Sequence, residues 1–296
     1  MGNDSLKSTL PSLQPAGHGS NRFGRDSELF IKTRAANGVT LVADSFFTAP
    51  YKIAQPFYDA DTRILNLVLM SASAGVMEGD CYRIKVHLGQ ASRLALHGQS
   101  YSKIHRMKQG HAMHSNTFIL EEGAFFDFVQ KPTIPFAESR FRSSSQCYLQ
   151  NGSEFLYSEV LACGRAKRGE RFAFQEFSNA CRVYYQGELI FLDNQCYLPA
   201  SQCLEGIGFF EGYSHQATLA YFSDKWDNKF LDELYGVLED IQGIDFGLST
   251  TNKFGMIFRV LGNSSDSLTK ILQSLRVKIY GLKHNQCLTT IPLLAP

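Results

Sequence analysis

Apolar and polar residues alternate along most of the chain, and the pattern predicts strands. The clearest case is residues 82–88 and 92–97 (YRIKVHL and SRLALH), two period-2 runs joined at Gly89-Gln90. They read as half-buried antiparallel strands. A small-residue turn precedes them, SASAGVMEGD at residues 71–80, where Gly75 and Gly79 permit positive φ. A polar segment follows, HGQSYSKIHR at residues 97–106, and polar groups gathered where a strand leaves a core mark a place to look for a site.

The rest of the chain repeats the theme. Asn37-Gly38 lies between two β-prone runs and predicts a hairpin. Prolines at 50 and 56 predict an irregular or edge segment. Residues 64–70 form an apolar strand. Further runs flank Glu121-Glu122-Gly123, Asn151-Gly152 and Gln186-Gly187. Only two helices are expected. One follows an Asp227 cap through residues 228–242, with Phe230, Leu234, Val237 or Leu238, and Ile241 on one face and Gly243 past its end. The other spans residues 266–283 with Leu268, Ile271, Leu272, Leu275 and Ile279 as its stripe. A strand at 254–261 separates them. The expected fold is mainly β, with stacked antiparallel or β-helix-like strands and two C-terminal amphipathic helices. Residues 27–296 make one domain, and residues 1–26, rich in Ser, Gly, Pro and Asn, make a disordered extension.

Composition narrows the function. A net charge of +1 over 296 residues argues against nucleic acid or an acidic membrane as the main partner. No apolar run approaches the ~20 residues of a membrane-spanning helix. The N-terminus has no secretory pattern, and the seven cysteines are an odd number without paired spacing. These features fit a cytoplasmic protein. P-loop, GxSxG, HExxH and CxxC motifs are absent.

Candidate chemistry is sparse. His111-x-x-His114 falls in a loop-like stretch and supplies too few ligands for a tight metal site. Cys147, Cys163, Cys181 and Cys196 alternate with apolar residues and read as core filling; a Cys–His nucleophile pair stays open. Asp80, Asp127, Glu138, Glu159 and Glu170 suit turn capping or ion pairs with Arg140, Arg165 or Arg171. Loosely arranged oxygen and imidazole ligands would instead pass a divalent ion along without trapping it. The basic segment GRAKRGERF at residues 164–172 is either a solvated turn or a contact surface for an acidic partner.

Five blocks occur in order: SASAGVMEGD; Gln99-x-x-x-Lys103-x-x-Arg106; GAFFDFVQKPTIPF at 123–136; YSEVLACGRAKRGERFAF at 157–174; and RVYYQGELIFLD at 182–193. Together they resemble the urease accessory family UreD, called UreH in some bacteria. The glycine turn is similar to the Helicobacter-type UreH form, and the N-terminal tail is longer than the family needs. The resemblance implies a non-enzymatic scaffold. Family members assemble with UreF and, through UreF, with the GTPase UreG on apo-urease, as dimers within the UreF-containing complex. They help load two nickel ions around a carbamylated lysine. It also implies an unusual stack of strands with two helices and a polar interior passage for nickel. No cofactor is held tightly, and nickel is transient. Asp80, Gln99, Ser100, Ser102, Asp127, Glu159 and Glu170 would line such a passage with His97 close by. Lys103, Arg106 and Arg165 would hold loops through ion pairs, with Gly75, Gly79, Gly164 and Arg171 structural or in partner contacts. Glu170→Ala would then lower urease activation with the complex intact. The competing readings are a Cys/His hydrolase and a ligand-binding β module.

Overall fold

The computed structural model describes residues 26–284 apart from residues 60, 61, 227 and 240. The expected N-terminal extension up to residue 25 and the Asp227 helix cap lie outside the described residues. In chain order the strands are β1 (Asp26–Ala36), β2 (Val39–Phe47), β3 (Tyr51–Ile53), β4 (Phe57–Tyr58), β5 (Leu65–Ser71), β6 (Cys81–Leu88), β7 (Arg93–Gly98), β8 (Ser102–Ile104) and β9 (Ala112–Leu120). They continue as β10 (Phe125–Val129), β11 (Thr133–Pro135), β12 (Arg140–Leu149), β13 (Glu154–Ala162), β14 (Glu176–Tyr185), β15 (Glu188–Tyr197) and β16 (His215–Phe222). Helix α1 (Asn228–Tyr235), β17 (Asp245–Thr250), β18 (Gly255–Gly262) and helix α2 (Ser265–His284) complete the described chain.

Two sheets face each other. The first runs β15-β14-β12-β9-β6-β1-β2, and the main path of the second is β17-β18-β16-β13-β10-β7-β5-β3. The chain winds between them. β6, β9 and β12 stack in parallel in the first sheet, β7 and β10 in the second, and β8 and β11 at the corner. Each turn of the winding lies on the one before, as in a solenoid.

This winding corrects the expected pairing of residues 82–88 with 92–97. β6 and β7 lie in opposite sheets, and their turn, closed by Ser92 N–H to the Gly89 carbonyl at 3.0 Å, carries the chain from one sheet to the other with Gln90 and Ala91 exposed. Asn151-Gly152 similarly carries β12 across to β13. True hairpins occur where the chain stays in one sheet, at Asn37-Gly38 and Gln186-Gly187. Both central residues there have positive φ, 53° and 74° at the first and 49° and 85° at the second.

Between the sheets lies a core of strand side chains, among them Ile84, Val86, Leu94, Leu96 and Phe118. Equivalent positions on neighbouring strands hold like residues. Phe126, Phe155 and Phe222 stack across β10, β13 and β16 at 6.0 and 6.4 Å between ring centroids. A second core lies on the far face of the second sheet, where Leu268, Ile271, Leu272, Leu275 and Ile279 of α2 cover Leu156, Leu219, Phe258 and Val260. β13 is therefore buried on both faces. α1 is shorter than expected. It ends at Tyr235, yet Leu234 and Leu238 are still buried beneath α2.

Candidate functional site

Parallel stacking aligns residues from successive strands into rungs along the long axis of the sheets. One rung is polar. In the first sheet it runs Tyr82, His114, Ser143, Asn179 and Gln195, each the register partner of the next. Facing it in the second sheet are Glu159, Thr218 and Arg259, again direct partners. Gln130 lies beside them, its backbone N–H bonded to the Ser158 carbonyl at 3.1 Å. An interior filled mostly by aliphatic and aromatic groups thus contains a hydrophilic layer, with the buried pair Asn116 Nδ2 to Ser145 Oγ (2.9 Å) in the adjacent rung.

Part of the layer borders a cavity of about 570 Å³ between the sheets. Gln99, Ser100, Ser102, Lys103 and Gly75 line it, together with Gln130, His114, Glu159 and Asn179. Glu159 is the one carboxyl among the described residues that line it. Tyr157 Oη donates to Glu159 Oε2 at 2.6 Å, Asn179 Nδ2 donates to the same carboxyl at 2.8 and 3.0 Å, and Gln130 Nε2 donates to Tyr157 Oη at 3.0 Å. Those donors favour the charged form, but burial outweighs them and pushes the carboxyl up to about 7. Burial acts on His114 in the opposite direction, down to about 4, so the ring is neutral at pH 7. Its Nε2 lies 3.5 Å from Tyr51 Oη.

Asp80 belongs to an adjoining cavity of about 710 Å³, lined also by Phe47, Pro50, Met77 and Glu78. Tyr51, Ser73 and Tyr82 line both cavities. Asp80 closes its own turn, accepting from Met77 N–H at 2.7 Å and Tyr82 Oη at 3.2 Å. The glycine turn is a wall between the cavities. Val76 bridges Ile104, and Gly79 (φ 81°) donates to the His111 carbonyl at 3.1 Å. Glu78 accepts three backbone N–H groups, from Lys108, Gln109 and Gly110, which hold its carboxyl below the usual range. At Gly75 (φ 152°) a Cβ would lie 2.5 Å from the Lys103 carbonyl oxygen.

The other candidate residues lie elsewhere. Asp127 projects from the opposite face of its sheet, fully buried under α2, where it pairs with Arg276 and accepts from Tyr280. His97 shares that face and lies 3.0 Å from Asn66 Oδ1; burial first, then the charges of Arg276 and Lys131, lower it to about 3. Glu170 clamps Arg165 through both carboxylate oxygens and accepts from Ala137 N–H at 3.1 Å. Arg165 in turn stacks on Phe136, 4.0 Å from the ring centroid. Gly164 (φ 132°) is required in that loop, since a Cβ would stand 2.5 Å from the Glu170 carbonyl. Arg171 pairs with Glu205 at 3.0 Å and donates to the Gly212 carbonyl at 3.2 Å, and Arg106 pairs with Glu138 at 2.7 Å. Lys167 and Arg168 are exposed cations of the basic segment, as is Arg171 despite its pairing. Lys103 has no ion pair among the described residues; its carbonyl instead holds Val76 N–H at 2.8 Å.

His114 lies on β9 and points inward rather than standing in a loop, and Tyr51, Gln130 and Asn179 join it in the site without having been expected there. Asn179 had a visible signal, an amide at an apolar-phase position two residues before Cys181. Among the described residues, no group of three or more His, Cys, Asp and Glu side chains could hold a metal ion. Cys147 and Cys181 thiols are pushed up by burial, opposite to what a nucleophilic thiolate needs. No helix among the described residues is long and apolar enough to cross a membrane.

Comparison with known proteins adds the decisive observation. Residues 25–291 match the family described as UreD urease accessory protein. The chain belongs to the UreD family. It is 51% identical over 260 residues to the urease accessory protein UreD of Acetivibrio thermocellus, covering 88% of this chain and 99% of that one. It is 34% identical to UreH of Helicobacter hepaticus over 86% of this chain and 98% of the relative. UreH of Helicobacter pylori is 28% identical over 86% and 95%. This UreD-family chain is a urease accessory protein, and relatives bearing that name support a non-catalytic role.

Proposed function

We propose that this chain acts on apo-urease within an assembly that includes UreF and, through UreF, the GTPase UreG, and that nickel travels along its polar layer. The observation that carries the reading is the layer itself: Tyr82, His114, Ser143 and Asn179 facing Gln130, Glu159 and Thr218 inside an apolar sandwich. Apolar residues would pack that space more favourably, because buried polar groups cost free energy unless partnered. A divalent ion in transit needs oxygen or nitrogen contacts that are weak and spread out. Single donors distributed along the rung supply that, whereas a clustered ligand set would trap the ion. Nickel is the cargo and no resident metal is required.

Glu159→Gln tests the proposal. It preserves size and an acceptor oxygen but removes the only carboxyl that lines the cavity among the described residues. Apo-urease activated with nickel, bicarbonate and GTP should gain less activity and less bound nickel with the variant, while size-exclusion chromatography still shows the joint peak with UreF and UreG. Full activation by the variant would refute the route. Failure of the unaltered chain to form the joint peak would refute the assembly.

A further inference from the structure

The polar layer continues where the cavity ends. Past Glu159 it runs through Thr218, 4% exposed, to Arg259, and past Asn179 it runs to Gln195, 9% exposed. Gln195 Nε2 donates to Asp193 Oδ2 at 2.9 Å, and Arg259 Nη2 pairs with the same oxygen at 2.6 Å. The Asp193 side chain is 14% exposed and the Arg259 side chain 45%, so the pair stands at the boundary between interior and water. Beyond it the two sheets no longer match. β15 is the last strand of the first sheet, while the second continues to β17. Gly247 of β17, the register partner of Arg259, has no heavy atom of the described residues within 4 Å of the position a Cβ would take. Among the described residues the polar layer therefore ends uncovered, with one ion pair across it.

We infer that the interior passage has a second opening at the β15–β18 end of the sandwich and that the Arg259–Asp193 ion pair is the gate that closes it. The inference rests on reading the polar layer as a passage. A part-exposed ion pair is a weak restraint. A partner carboxylate reaching the β17–β18 edge would compete with Asp193 for the Arg259 guanidinium, which accommodates carboxylates in a bidentate fork. Opening would then be coupled to docking of an acidic partner segment at that edge.

Cysteines already in the chain report on the gate. Cys181 is the register partner of Asp193, points into the sandwich and is 5% exposed. Cys147 is embedded in the apolar core at 1%, while Cys196 and Cys203 are exposed. The full chain, in its accessory complex, is treated with a small methanethiosulfonate and each cysteine is followed by peptide mass mapping. In the unaltered protein Cys196 and Cys203 react and Cys181 and Cys147 stay protected. Arg259→Ala and Asp193→Asn should each speed Cys181 labelling about fivefold, the change that losing an exposed ion pair makes in a local opening equilibrium. Cys147 should remain protected. Continued protection of Cys181 in both variants overturns the gate. So does Cys147 reacting in step with Cys181 in both, because the pair would then be a clamp on the fold. The passage reading fails by a different result, full nickel transfer to apo-urease by Glu159→Gln.

Discussion

Removing the Asp127 carboxylate should destabilise the protein severely. Asp127 is 0% exposed on β10, and its partner Arg276 on α2 has a side chain only 8% exposed. Tyr280 donates to the same carboxylate oxygen. Asp127→Ala leaves the Arg276 guanidinium buried with no counter-charge and strands the Tyr280 hydroxyl. Deleting one member of a buried ion pair costs about 3–5 kcal/mol. That is a large share of the roughly 5–15 kcal/mol that holds a domain together. At about 2–4 °C per kcal/mol for a domain approaching this size, Tm should fall by about 10 °C. The pair is not ideally satisfied, since Asp127 Oδ1 and Arg276 Nε have no hydrogen-bond partner among the described residues. Replacing both residues with apolar ones of similar bulk, Asp127→Leu with Arg276→Met, should therefore recover most of the loss. Calorimetry and urea unfolding of the three proteins measure both effects. Refutation would be Asp127→Ala unfolding within about 1 kcal/mol of the unaltered chain, the scale of a solvated surface pair. The same comparison separates roles. An Asp127 variant that loses urease activation would do so by loosening α2, whereas Glu159→Gln should lose it without unfolding.

Two further predictions concern pH and the glycine turn. His97 and His114 have their values lowered from the ordinary 6.5 to about 3 and about 4, so each stabilises the fold fully above pH 6.5 and progressively less as pH falls toward 4. Glu159, raised from 4.5 to about 7, acts oppositely, lowering stability as pH rises from 4.5 through 7 by about 3 kcal/mol in total. Two histidines outweigh one carboxyl on the acid side, so stability should rise from pH 5 and level off near pH 7; Glu159→Gln should steepen that rise, and a flat urea-midpoint profile from pH 5 to 8 in the unaltered chain would contradict the reasoning. Gly75→Ala should cost about 2 kcal/mol, because strained backbone typically stores 1–3 kcal/mol and a methyl here also meets the Lys103 carbonyl. Urea unfolding checks it, and an unchanged midpoint would mean that the turn yields freely.

Strands, turns and the long helix were legible in the linear chain. Alternation is a local steric property, so YRIKVHL had to present Tyr82, Ile84, Val86 and Leu88 to one side and Arg83, Lys85 and His87 to the other. The stripe of α2 was equally readable, from Leu268 to Ile279. Family membership was legible too, because ordered blocks survive in the linear chain. Partnership was not. A hairpin and a solenoid turn share one period-2 pattern, and only the stacking of complete turns decided that β6 pairs with β9 and not with β7. The rung from Tyr82 to Gln195 exists only after that choice. The same limit explains the mixed fortunes of the acidic residues. Asp127 and Glu159 stand in strands of the second sheet, part of which is buried on both faces, one by the first sheet and one by α2. Where both faces are apolar, alternation no longer says which side a carboxyl occupies, so tertiary packing alone sent Glu159 into the cavity and Asp127 beneath the helix.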